Sequence, residues 1–482
     1  MGVKREHQAE GEPVYQKLAG RLELMIREGT LRAGERVPSV RQFSSQQGVS
    51  IPTALQAYVT LETRGLIQAR PRSGFYVRAQ PTTPMPQPTE NAKALKITNF
   101  AYTDPLESLM ADHANPNIVP LGAAIPANEL LPGGRLARTM AAVARKLAAA
   151  SAGYELIPGN ETLRRELARR SLEWGCALTA DDFIVTLGVT EAVSLALRLT
   201  CRPGDTVVVE SPTYFGLARI LREMQLKAMP IPVDCATGIN VEVLEKVARR
   251  TRLAACVLMP NFHNPTGCLM PEDRKKRVVE LLAPRGVPII EDDIYGDLQH
   301  FGARPRCLKA HDPDGSVMLC GSYSKTLAPG YRVGYLAAGR WHEKALNLKR
   351  ASTFSSPLLT SLAVGEFLRS GGYDRYLRAL RQAYRQQVDR MRAAMVENFP
   401  AEICLSRPQG GFLLWCKMPE RVNALELAKR ARAAGISIAP GPVFSPEGKF
   451  HNYIRINCGC PWSARLDRSI AILGQFVYEA MN

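Results

Sequence analysis

The chain has 482 residues, enough for more than one domain and a substantial core. Its 46% apolar and 22% charged content excludes a disordered polyelectrolyte. A formal net charge of +17 points to a polyanionic partner, with nucleic acid the first candidate.

The opening stretch MGVKREHQAEGEP is charged and has no apolar h-region, so no signal peptide is expected. No run approaches the ~20 apolar residues of a membrane span, and a cytoplasmic protein is expected. The eleven cysteines contain no C-x-x-C pair. Cys458 and Cys460 form one C-x-C without a second ligand pair, so reduced thiols and no metal site are expected.

Val14, Leu18, Leu22, Met25 and Ile26 recur with the spacing of an amphipathic helix between Pro13 and Gly29. Ser39 reads as the N-cap of a second helix, with Gln42 in capping-box position, and Gly48 breaks it. Ser50 caps a third helix with Pro52 in its first turn and Leu55, Tyr58 and Leu61 as its core face. LIQARPRSGFYV then reads as two short strands around a basic tip. Three helices and a basic-tipped hairpin make a winged helix-turn-helix, which enters the major groove of double-stranded DNA with the start of its third helix.

This segment resembles the GntR family in LRAGERVPSVRQFSSQQGVS and LETRGLIQARPRSGFYV. The resemblance implies DNA contacts at Arg41, Ser50, Thr53, Ser73 and Gly74, and the basic tip adds Arg72 near the phosphates. Many family members carry arginine after the cap residue, where this chain has Ile51, so its base preference is expected to differ.

Residues 79–98 are rich in Pro, Thr and Gln and read as a linker between a reader, 1–78, and a larger domain, 99–482. Twelve Lys and Arg against seven Glu precede the linker, so the basic excess is not confined to the reader. In the larger part, DFIVTLGV, DTVVVESP, AACVLMPN, VPIIEDDIY and VMLCGSYSK are short apolar runs ending in small or polar residues, with helical patterns between. That is an α/β domain with a mostly parallel central sheet, in which ligands sit at the carboxyl ends of the strands.

The residues at those ends match the needs of pyridoxal 5′-phosphate. Lys325 can form the imine. Asp292 can keep the pyridine nitrogen protonated, so that the ring withdraws electrons. Asn264 and Tyr295 can bond the phenolic oxygen, and Tyr214 can stack on the ring. A helix start at Val189 and Thr190, with Ser322, Ser324 and Arg332, can hold the phosphate.

From about Asn99 to the end the chain resembles the fold-type I aminotransferases, subgroup I, which implies a pyridoxal-phosphate-dependent transferase fold with a smaller α/β subdomain. It further implies that Tyr154 reaches the phosphate of a partner subunit in a homodimer, and that Arg455 clamps a substrate carboxylate. Reader, linker and aminotransferase-like domain together resemble the MocR family of bacterial regulators. That resemblance implies transcriptional control in response to pyridoxal phosphate or to an amino acid or amine effector. A sensor and a working aminotransferase use the same residues, so weak transamination stays open.

Overall fold

The structure is a computed structural model, and it describes residues 13–32, 34–63, 66–70, 73–78, 86–88, 96–98 and 105–481. Arg72 and most of the linker lie outside these residues. The chain falls into two compact units that divide near Pro84.

In the smaller unit, α1 (Val14–Arg27), α2 (Val40–Gln47) and α3 (Ile51–Thr63) precede the antiparallel hairpin of β1 (Ile67–Arg70) and β2 (Gly74–Val77). Ser39 caps α2 by accepting the Gln42 N–H at 3.2 Å, as its place before a polar helix suggests. Leu18 and Leu22 enter the core, but Val14, in the first turn of α1, is exposed. The core face of α3 is Ala54, Ala57, Tyr58 and Leu61. Leu55, expected there, is 45% exposed. Tyr58 ties the unit together: its hydroxyl donates to Pro38 O at 2.7 Å, and its ring packs against Phe43 and Phe75.

In the larger unit, β3 (Val119–Pro120) precedes a sheet of eight strands: β4 (Phe183–Thr186), β5 (Thr206–Ser211), β6 (Lys227–Asp234), β7 (Gly238–Ile239), β8 (Ala255–Leu258), β9 (Ile289–Asp292), β10 (Val317–Ser322) and β11 (Gly334–Ala337). Their order is β4-β11-β10-β9-β8-β5-β6-β7. Pairing is parallel from β10 through β9, β8 and β5 to β6; β11 runs antiparallel to both its neighbours, and β7 to β6. Strands β4, β8, β9 and β10 are buried on both faces, which is why they read as unbroken apolar runs.

The smaller subdomain follows as β12 (Cys404–Leu405), β13 (Leu413–Lys417), β14 (Ile436–Ser437), β15 (Ala439–Pro440) and β16 (Tyr453–Asn457). Strands β12, β13, β16 and β15 form an antiparallel sheet, while β14 pairs with β3. Helices Gly372–Asn398 and Ala464–Met481 bring Val388, Met391, Ile470 and Leu473 to its core.

The described parts of the linker are bound to this unit. Pro86 O accepts the Leu405 N–H at 3.2 Å, and Thr98 exchanges backbone bonds of 3.0 and 2.9 Å with Ala228. Among the described residues no helix is long and apolar enough to cross a membrane.

Candidate functional site

The carboxyl ends of β5, β8, β9 and β10 converge on a cavity of about 330 Å³. Val189, Thr190, Tyr214, Asn264, Asp292, Tyr295, Ser324, Lys325 and Arg332, all expected from the sequence, line it. Ser322, Arg455 and Tyr154 do not.

One end is suited to an anion. Gly188 precedes helix Val189–Thr200 at φ 88°, and its missing side chain makes room for Arg332: a Cβ there would come within 2.7 Å of the guanidinium. Arg332 donates to Leu187 O at 2.9 Å and to Ser324 Oγ at 3.3 Å. Ser322 turns inward instead, donating to Val333 O at 3.0 Å and meeting Ser324 Oγ at 2.8 Å. It therefore orients Ser324 and does not itself face the cavity. Glu191, in the first turn of the same helix, would repel an anion. It is drawn back by the Leu187 N–H at 2.6 Å and by the buried Lys349 ammonium at 3.1 Å.

At the other end Asp292 is buried, and burial pushes its carboxyl up to about 7, with Asp293 and Glu210 adding to the shift. The Ile294 N–H, 3.1 Å from Oδ1, and Lys325 oppose it. An acid so poised can share a proton tightly with a heterocyclic nitrogen. Lys325 lies between the two ends, its ammonium donating to Ala124 O at 2.6 Å. Burial, with help from Arg455 and Arg332 and against Asp292, lowers it to about 8. The neutral amine, the form that attacks an aldehyde, is therefore minor below pH 8 and dominant above it. Capture of pyridoxal phosphate, followed by absorbance in stopped flow, should speed up as pH rises from 6 to 8 and level off above. A rate that climbs without a bend to pH 10 would place the lysine back at its ordinary value.

Asn264 connects cofactor and carboxylate chemistry. It shares a hydrogen bond with the Tyr295 hydroxyl, and its Oδ1 accepts Arg455 Nη1 at 2.9 Å. Arg455 is fully buried, its other arm given to Gly122 O, and it lies over the Phe444 ring at 4.9 Å. Burial lowers it to about 10, so it stays charged at neutral pH. A carboxylate reaching it has to exchange with the Gly122 carbonyl. Tyr154 is 79% exposed and meets Phe354 edge-on at 5.6 Å, an outward aromatic pair on this chain's surface.

Sequence reasoning left out two features. Leu109, Met110, His113 and Ile125 also line the cavity. A second cavity of about 260 Å³ shares Val189, Thr190, Tyr214, Asn264 and Asp292 with the first and adds the buried pair Glu210 and His263, 3.4 Å apart. Glu210 also accepts the Met259 N–H at 2.8 Å, and His263 meets Thr266 at 2.9 Å. The glutamate at the end of VVVES was the available signal, because an acid inside a buried strand needs a partner.

In the smaller unit Ser50 caps α3 and its hydroxyl lies 2.8 Å from that of Thr53. Arg41 is exposed at the start of α2. Ser73 Oγ meets the Tyr76 hydroxyl at 2.6 Å beside Gly74, at φ 104°, against which the Arg36 guanidinium lies.

Residues 125–471 match the family "Aminotransferase class I and II", and residues 14–77 match "Bacterial regulatory proteins, gntR family". The chain is 41% identical to the HTH-type transcriptional regulator YjiR of Escherichia coli (strain K12), over 97% of this chain and 99% of that one. Kynurenine aminotransferase of Pyrococcus horikoshii, crystallised with PMP, superposes with a TM-score of 0.74 at 26% identity, covering 79% of this chain and 95% of the enzyme. LysN of Thermus thermophilus, complexed with N-(5′-phosphopyridoxyl)-L-leucine, gives 0.73 at 26%, over 80% and 96%. The anion cradle, the buried acid and the lysine between them fit such a group, and pyridoxal 5′-phosphate is the cofactor of this fold and of this chain. With a GntR-type reader and an aminotransferase-like unit in one transcriptional regulator, the chain belongs to the MocR family.

Proposed function

We propose that this regulator binds double-stranded DNA through its winged helix-turn-helix and senses pyridoxal phosphate, or an amino acid or amine that reaches it, through the larger unit. The observation that carries the reading is the cavity in which Lys325 stands between Asp292 and the Val189–Thr190 cradle, in a chain that also carries a DNA reader. When bound, the cofactor supplies an aldehyde and an electron-withdrawing ring. Lys325 holds the aldehyde end, and Asp292 keeps a proton at the ring nitrogen. Asn264 and Tyr295 fix the phenolic oxygen. Tyr214 covers the ring, and Ser324 and Arg332, set by Ser322, hold the phosphate. Arg455 receives an effector carboxylate.

The domain division follows: reader 1–78, linker 79–98, sensor 99–482. The exposed Tyr154–Phe354 pair supports a homodimer in which Tyr154 completes the partner's phosphate site. A regulator of genes acts in the cytoplasm. The same residues support slow transamination, but the fused reader favours sensing as the main role. The test is operator binding by the full chain, with and without cofactor and a panel of amines, beside sedimentation at micromolar concentration. The reading fails if no amine alters binding, and its dimer fails if the loaded protein sediments as a monomer.

A further inference from the structure

The exposed residues of α3 are Ile51, Pro52, Leu55, Gln56 and Val59, and none is charged. Ile51, Leu55 and Val59 are 51%, 45% and 42% exposed and follow one another at i, i+4 and i+8, one row along the helix. The opposite face, Ala54, Ala57, Tyr58 and Leu61, is buried, so the row is not part of the core of this unit.

A helix that meets nucleic acid with an uncharged face is not reading phosphate. Basic groups stand on other elements: Arg41 is exposed on α2, and Arg36 lies against Gly74 at the wing. The row begins at Ile51, directly after the Ser50 cap, and the start of the second helix of this motif is the part that meets base edges. In the major groove the one apolar group that a base pair presents is the 5-methyl of thymine. Ile51 and Leu55 are one turn, ~6 Å, apart along the helix axis, and base pairs stack at ~3.4 Å, so the two side chains can meet methyls on neighbouring or next-neighbouring pairs. Gln56, exposed beside them, carries the donor and acceptor that adenine takes from the other strand.

We propose that this reader selects A·T pairs by packing Ile51 and Leu55 of α3 against thymine methyl groups in the major groove. The inference rests on the placement of α3 in that groove given under Proposed function. An arginine at position 51 would donate to guanine; isoleucine cannot, and rewards a methyl instead.

The experiment uses the full chain loaded with pyridoxal phosphate and the duplex it selects from a random pool. In a second duplex every thymine is replaced by deoxyuridine, which removes the methyls and leaves every hydrogen-bonding group in place. Wild type should lose affinity about fourfold for each contacted methyl, the worth of burying one such carbon. Ile51→Ala/Leu55→Ala should bind the thymine duplex weakly and no longer distinguish the two duplexes. Both side chains are exposed, so the variant keeps the core. Ile51→Arg, selected afresh, should gain guanine at one position.

Equal binding of the two duplexes by wild type overturns the inference. So does an unchanged thymine-to-uracil ratio in the double variant, or a change in its oligomeric state alone, which would make the row a protein contact. Thr53→Val and Arg41→Ala separate the two levels. If both leave operator binding untouched, α3 is not in the groove and the placement itself falls. If both weaken it while the uracil duplex binds normally, only the methyl reading falls.

Discussion

Lys325→Ala should bind a single half-site as tightly as wild type and stop responding to amines. A ligand moves a two-state protein only by its different affinity for the two states. On the proposed reading that difference depends on a bond at Lys325, whose amine is lowered to about 8 and faces the cavity between Asp292 and Arg332. Coupling of this kind amounts to ~1–3 kcal/mol, or roughly 5–150-fold in affinity. Wild type should show such a change with an effective amine in fluorescence anisotropy on a paired operator. The variant should show none, and both should bind a single half-site alike. An identical response in the two proteins would remove Lys325 from the switch.

Asp297→Asn should unfold the larger unit far more easily. Burial pushes the Asp297 carboxyl up, yet Arg170, Arg304 and Arg381 outweigh it and hold the group well below the usual carboxylate range. The bonds are specific: Arg304 Nε at 2.6 Å, the Tyr373 hydroxyl at 2.8 Å and Arg170 Nη2 at 3.3 Å. Arg170 goes on to Asp374 at 2.7 Å, and Arg304 also pairs with Asp293. An amide in place of the carboxylate leaves two buried guanidinium groups sharing too little negative charge. Breaking such a pair costs about 3–5 kcal/mol, read as a lower denaturant midpoint for the larger unit. A shift under ~0.5 kcal/mol, the size expected at an ordinary surface position, would mean that the cluster relaxes around the change. Because the carboxyl is depressed, its contribution is present above the unfolded value and fades only as pH falls toward the lower native one. The defect should therefore be as large at pH 5 as at pH 8.

Five strands of the large sheet were legible because a strand buried on both faces is an unbroken apolar run: β4, β5, β8, β9 and β10 each fall within one of the expected stretches. Strand β6, KAMPIPVD, was not among them, because two prolines interrupt its pattern. The cavity set was legible because eight of its nine expected residues stand at or after strand ends or open a helix, and Arg332 precedes β11. Ser322 departed because the last residue of β10 turns its hydroxyl to Val333 O. Arg455 does not line the cavity, its guanidinium being bonded to Gly122 O and Asn264 Oδ1, both remote in sequence. Leu55 was misplaced because the true core row of α3 starts with two alanines, whose small side chains barely register as apolar against leucine. Glu210 and His263 are 53 residues apart and meet only when β5 and the loop after β8 are side by side.

The bond between Pro86 O and Leu405 N changes the arithmetic of bivalent binding. Residues 79–85 alone separate Arg78, at the end of the reader, from this anchor. Stretched to the limit, the eight steps from Arg78 to Pro86 span about 28 Å. In a dimer, once one reader holds its half-site, the other samples a volume set by that contour, at an effective concentration on the order of millimolar. In the proposed dimer, a leash that short should make the operator's spacing part of the recognition code. There, half-sites within the combined reach of the two tethers should share the full avidity, and those beyond it should be bound as two independent, weak sites.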